Sequence, residues 1–158
     1  MTEKVGTQLP DVVLYEGDAQ TKVNLRELFA GKKGVLFAVP GAFTPGCSKT
    51  HLPGYVSAYE QFKEAGADII VCVATNDPFV MRAWGAAHNV DSKVRMLSDM
   101  DCALTDALGV AMQALGCKRS RRFSAVIQDN QIKAWNLEEG GGMACSLSNP
   151  TLEQLKAL

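Results

Sequence analysis

Two short runs along the chain are apolar at every position, Gly34–Val39 and Ile69–Ala74. At six residues each they suit strands buried on both faces and are far too short to cross a membrane. Asp11–Gly17 instead alternates apolar with polar residues and ends at Glu16-Gly17-Asp18, a turn signal from which Lys22–Leu25 pairs back as a hairpin. Asn24-x-x-Glu27 has the form of a capping box, which predicts a short helix over Leu25–Ala30, ended by Gly31. Cys47–Ala65 reads as one helix with a kink or a loose start near Pro53-Gly54, closed by Gly66, and Asp68–Ala74 as the second buried strand. Asn76 caps a helix with Pro78 in its first turn, running to about His88. Val94–Leu97 is a short strand and Asp101–Leu108 a helix stopped by Gly109. Phe123–Gln128 and Gln131–Leu137 form a hairpin about Asp129-Asn130. Gly140–Gly142 is a flexible loop, and Asn149-Pro150 opens a last helix to Leu158. Strands alternating with helices imply an α/β sandwich with a mixed central sheet.

A length of 158 residues, with 47% apolar and 21% charged, predicts one folded domain over 1–158. A net charge of −1 excludes a globally basic nucleic-acid binder. No apolar run approaches 18 residues, and Met1-Thr2-Glu3-Lys4 lacks the basic and apolar regions of a secretory signal, so neither membrane insertion nor export is expected. Five cysteines stand at 47, 72, 102, 117 and 145 with no C-x-x-C, beside only two histidines, His51 and His88. That spacing predicts no metal site and reduced thiols in a cytosol-like compartment.

The candidate chemistry lies in Pro40-Gly41-Ala42-Phe43-Thr44-Pro45-Gly46-Cys47, between a buried strand and a helix. Ligands tend to bind in the crevice beyond the carboxyl end of such a strand. Cys47 falls in the first helical turn, where unpaired amides and the helix dipole favour an anion such as a thiolate. Lowering a thiol's pKa from about 8.5 to about 5.5 raises its thiolate fraction at pH 7 roughly 30-fold and lowers its nucleophilicity roughly 20-fold. The two nearly cancel. A fast thiol therefore needs donors that hold the substrate and take up developing charge. Thr44 and the Gly46 and Cys47 amides are candidates, and a fixed cation would complete the set.

The string VPGAFTPGCSKTHLPGY, with Pro40-x3-Thr44-x2-Cys47 inside it, resembles the peroxiredoxins and within them the peroxiredoxin 5 branch. ATNDPFVMRAW, SRRFSAVIQDNQIKAWNLE and MACSL extend the resemblance over nearly the whole chain; Gly109–Lys118 does not match. The resemblance implies a thioredoxin-like fold, which the element order fits as a core with an N-terminal β-hairpin extension. It implies a thiol-dependent peroxidase acting on hydrogen peroxide, alkyl hydroperoxides and peroxynitrite, without a cofactor. By the same resemblance Cys47 is the peroxidatic cysteine, Thr44 holds the peroxide, Pro40 shields the sulfur and Arg122 is the active-site arginine. Cys145 is the resolving cysteine, which forms a disulfide within one chain. Thioredoxin is the expected reductant, with glutaredoxin or glutathione as alternatives. Phe43 and Phe79, on the loops at 40–46 and 76–80, suit a homodimer contact. The expected compartment is cytoplasmic, or mitochondrial or peroxisomal if a presequence has been removed; Lys156-Ala157-Leu158 matches a peroxisomal signal poorly.

Other readings remain open on the residues themselves. The same Cys47 chemistry could serve a redox relay or sensor. His51, four residues after Cys47, could form a Cys–His hydrolase dyad, or could support the pocket. Arg121 could stand in for Arg122. Cys72 reads as a core residue, Cys102 and Cys117 as non-catalytic extras, and His88 as a surface residue. Glu138–Gly142, with three glycines, gives Cys145 little reason to be rigidly held, so the reduced form is expected to keep the two sulfurs beyond bonding distance.

Overall fold

The structure is a computed structural model and describes residues 3–158. The N-terminal hairpin is β1 (Val13–Tyr15) and β2 (Lys22–Asn24), followed by α1 (Leu25–Phe29). The Asn24 side chain accepts from the Glu27 amide at 3.0 Å, as the capping pattern predicts. Then come β3 (Lys33–Ala38), a π-helical turn (Cys47–His51), α2 (Leu52–Ser57), α3 (Tyr59–Glu64), β4 (Ile69–Ala74), α4 (Pro78–Ala87), β5 (Arg95–Ser98) and α5 (Ala103–Ala107). A separate hairpin, β6 (Ala111–Ala114) and β7 (Cys117–Ser120), precedes β8 (Phe123–Gln128), β9 (Gln131–Leu137) and α6 (Ser148–Lys156).

Seven strands form one sheet in the order β2-β1-β5-β4-β3-β8-β9. The β5-β4-β3 centre is parallel and the flanking pairs are antiparallel. Alternation along β3 and β4 explains their unbroken apolar runs. Val35, Phe37, Ile70 and Cys72 face one core, built with Tyr55, Phe62, Met81, Trp84 and Leu155. Leu36, Ala38, Val71 and Val73 face the other, with Phe29, Leu104, Phe123 and Trp135. Both faces are covered, so no strand residue there has a reason to be polar. No helix among the described residues is long and apolar enough to cross a membrane.

Several boundaries differ from expectation. The 47–65 segment is three pieces, and the break falls at Ala58 (φ −91°, ψ 6°) rather than at Pro53-Gly54. Pro53 stands at the start of α2, directly after the π-helical turn. The cap of α4 is Asp77, whose carboxylate accepts from the Val80 amide at 2.9 Å, and not Asn76. α5 starts at Ala103, after Cys102 in a left-handed conformation (φ 59°). α6 starts at Ser148, one residue before Asn149-Pro150. The β6–β7 hairpin has no counterpart in the sequence reading. Its turn residues Leu115 (φ 51°) and Gly116 (φ 83°) both have positive φ, and a leucine there is a poor turn signal. The β8–β9 turn does sit at Asp129-Asn130, both at positive φ.

Candidate active site

β3 delivers the chain to the carboxyl edge of the sheet, where Val39 still bonds to β4 through Val73. The loop then turns sharply, with Phe43 at φ 61°, and becomes helical from Pro45. The first helical bond runs from the Ser48 amide to Thr44 O at 2.9 Å, which leaves the Gly46 and Cys47 amides at the helix start without an intrahelical acceptor. The next turn is wide: the Leu52 amide reaches back to Cys47 O, a π-helical bond of the kind that often marks a functional site. Cys47 is 1% exposed.

Three side chains surround this turn. Arg122, between β7 and β8, points Nη2 at Cys47 Sγ, 3.4 Å away, and donates through Nη1 to His51 Nδ1 at 2.8 Å. His51 Nδ1 must then be the acceptor, so Nε2 carries the proton and donates to Ser146 O at 3.1 Å. Burial, followed by the Arg122 charge, pulls His51 down from 6.5 to about 3, so the ring is neutral. It packs against Phe37 with 4.9 Å between ring centroids. Thr44 Oγ1 donates to Gly41 O at 2.7 Å, so its oxygen is left to act as an acceptor.

The loop itself is tied from outside. Asn76 Oδ1 accepts from the Ala42 amide at 2.9 Å. Arg119 donates from Nη1 to Pro40 O and from Nε to Ala114 O, each at 2.9 Å, fastening the β6–β7 hairpin to the half-buried Pro40. Trp84 Nε1 donates to Ser48 Oγ at 3.0 Å. A side-chain carbon on Gly46 would lie 3.2 Å from Met143 Sδ and 3.4 Å from Arg122 Nη2, so it would crowd Met143 and come into contact with the guanidinium.

A family model described as Redoxin matches residues 4–154. Rice (Oryza sativa subsp. japonica) peroxiredoxin-2E-2, chloroplastic, is 46% identical over 99% of the chain and 73% of its own length. Peroxiredoxin-2B of Arabidopsis thaliana is 38% identical over 96% of the chain and 97% of its own length. The chain belongs to the redoxin family and is a peroxiredoxin.

Peroxiredoxins are peroxidases that work through a thiol, and the fold is thioredoxin-like as expected. Reduced Prx3 of Vibrio vulnificus in complex with hydrogen peroxide superposes with a TM-score of 0.90 at 41% identity, covering 96% of this chain and 98% of that one. Peroxiredoxin 5 of Alvinella pompejana gives 0.90 at 40% identity, covering 98% and 99%. Oxidised Prx3 of Vibrio vulnificus gives 0.78 at 45% identity, covering 85% and 88%.

Of the residues singled out in the sequence, this peroxiredoxin brings Arg122 against Cys47 and beside Gly46, while Thr44 and Pro40 lie in the loop before that helix start, bonded to Gly41 and Arg119. Arg121 turns elsewhere, donating from Nη2 to Glu138 O at 2.9 Å. The Cys–His hydrolase reading fails, because both ring nitrogens of His51 are engaged away from the sulfur. Cys72 lies in the core, and burial, then Cys47, push its thiol well up. Cys102 is half-buried and Cys117 exposed. His88 is half-buried rather than on the surface, edge-on to Trp84.

The Cys145 segment differs most from expectation. It is held, not loose. Glu138 Oε2 accepts from the Ala144 amide (2.7 Å), the Ser146 amide (2.8 Å) and Ser146 Oγ (2.6 Å). Ser146 O also accepts from Tyr55 Oη at 2.7 Å. Within the glycines, Gly142 N–H closes a turn onto Glu139 O. Three glycines signal freedom only when nothing downstream is anchored; here Ser146 is. Glu138 and Arg119 carry no sequence motif, and Asn76 carries only that of a helix cap; what each does depends on a backbone group outside its own element.

Proposed function

We propose that this enzyme reduces hydrogen peroxide, alkyl hydroperoxides and peroxynitrite through Cys47, resolves the sulfenic acid with Cys145 in the same chain, and is recycled by thioredoxin. The observation that carries the reading is the guanidinium of Arg122 at 3.4 Å from the sulfur at a helix start. It faces the place where charge develops as the peroxide bond breaks. The Cys47 sulfur attacks one peroxide oxygen as a thiolate and the O–O bond breaks; the other oxygen leaves as hydroxide or alkoxide, which takes a proton to become water or an alcohol, or within nitrite when the substrate is peroxynitrite. Thr44, its own proton committed to Gly41 O, accepts from the peroxide O–H, and the Gly46 and Cys47 amides donate to the oxygens. Pro40, steadied by Arg119, shields the sulfur.

Resolution then needs Cys47 and Cys145, both free thiols in this conformation, to meet. The closer likeness to the reduced Vibrio Prx3 (TM-score 0.91) than to its oxidised form (0.78) supports a structural change between the two states. Phe43 and Phe79, 56% and 52% exposed beside the site, support a homodimer contact through the active-site loops. Of the relatives, the rice and Arabidopsis 2E proteins are named chloroplastic.

The test is peptide mapping without reductant after one equivalent of hydrogen peroxide. One Cys47–Cys145 bridge within a monomer is expected, with Cys47→Ser abolishing turnover. A bridge between chains, or from Cys47 to Cys72 or Cys117, overturns the resolving assignment. Turnover retained within tenfold in Cys47→Ser overturns the peroxidatic one. Oxidation that passes to an added protein thiol but never to thioredoxin would turn the reading to a relay.

A further inference from the structure

Glu138 follows directly on β9 and is 5% exposed, yet no lysine, arginine or histidine pairs with its carboxylate among the described residues. What it bonds instead is the backbone and hydroxyl on either side of Cys145: Ala144 N–H, Ser146 N–H and Ser146 Oγ–H, all onto Oε2. Hydrogen bonds to an ionised acceptor are roughly twice as strong as neutral ones. The same Ser146 is gripped at its carbonyl by His51 and Tyr55. The amide of Glu138 donates to Arg122 O at 3.0 Å, so the carboxylate hangs from the strand pair that carries the arginine. For Cys145 to travel to Cys47, its neighbours must give up some of these bonds. The carboxylate also acts on the thiol: burial first, then the Glu138 charge, push Cys145 up.

We propose that Glu138 is a positioning residue that latches the Cys145 segment in its reduced-state place and thereby sets the rate of resolution. The inference rests on the reading of Cys145 as the resolving cysteine. In that step the Cys145 thiol gives up its proton, its sulfur bonds to the Cys47 sulfur, the S–O bond of the sulfenic acid breaks, and the oxygen leaves as water. Glu138 opposes both the motion and the ionisation that this needs. A slow resolver lengthens the life of the sulfenic acid, during which a second peroxide can carry it to sulfinic acid. The latch therefore tunes how much peroxide the enzyme survives.

Two measurements test it. The first needs no peroxide. In reduced Cys47→Ser protein, adding Glu138→Gln should speed iodoacetamide alkylation of Cys145, followed by mass mapping, at least fivefold, and should move its pH profile to lower pH. Ser146→Ala in the same background, which removes one bond but no charge, should speed alkylation less and leave the profile where it was. That contrast separates the charge from mere loosening, and Ser146→Ala serves alone if Glu138→Gln fails to fold. The second follows the Cys47–Cys145 bridge after one equivalent of hydrogen peroxide, where Glu138→Gln should form it at least threefold faster. Unchanged alkylation rates in both variants overturn the latch. So does unchanged bridging in a parent that does form the bridge. A parent that forms no such bridge overturns the resolving role instead, and the alkylation rates still judge the latch.

Discussion

A neutral histidine locked between a guanidinium and a carbonyl makes the stability of this protein depend on pH above the range where carboxylates titrate. His51 falls from 6.5 to about 3 on folding, first by burial and then by the Arg122 charge. Above pH 6.5 the ring is neutral in both states and contributes nothing to the difference. Below 6.5 the unfolded chain takes up a proton that the folded chain refuses, so stability falls with falling pH until about pH 3. The slope approaches about 1.4 kcal/mol per pH unit, and the whole gap from 6.5 to about 3 amounts to roughly 5 kcal/mol. Between pH 7 and pH 5 the loss is about 2 kcal/mol. Glu138, held below its ordinary range by its hydrogen bonds despite burial, adds its own loss only below 4.5, through its folded value. Asp99, raised by burial, acts with the opposite sign. The assay is urea unfolding of the reduced protein at pH 7, 6 and 5, for the parent and for His51→Gln. The variant is expected to be less stable at pH 7 and to lose about 2 kcal/mol less than the parent on going to pH 5. Parallel curves for the two proteins would refute the account of His51 as a buried neutral ring.

Arg122→Gln should slow the second-order reaction with hydrogen peroxide roughly 10²–10³-fold, read by stopped flow, while Arg121→Gln, whose guanidinium meets the Glu138 carbonyl, should leave it within about threefold. Cys145→Ser should keep the first turnover fast but bring sulfinic acid on Cys47 at lower peroxide, read by intact mass; equal sensitivity in parent and variant would show that Cys145 gives no protection. Asn76→Ala should cost about 1–3 kcal/mol in urea unfolding, because it orphans the buried Ala42 amide, and should slow the peroxide step by loosening the loop.

Local patterning along the chain was enough to set the alternating layers and to mark where the chemistry begins. Gly34–Val39 and Ile69–Ala74 could only be strands covered on both faces, and a strand that ends in a proline- and glycine-rich loop before a helix puts its cysteine among unpaired amides. These are local facts, set by periodicity and by backbone geometry within a few residues. Everything that joins one element to another came from packing in three dimensions. It chose Arg122 over Arg121, because neighbouring residues entering β8 point in different directions and only one faces the helix start. It made Asn76 a brace for the Ala42 amide and left the cap to Asp77. It turned Gly140–Gly142 from a loose tether into part of an anchored turn, because a carboxylate folded over from the end of β9 needed donors and found them at Ala144 and Ser146. A buried charge must be satisfied wherever the fold carries it. Which groups satisfy it depends on packing between elements, which no pattern along the chain encodes.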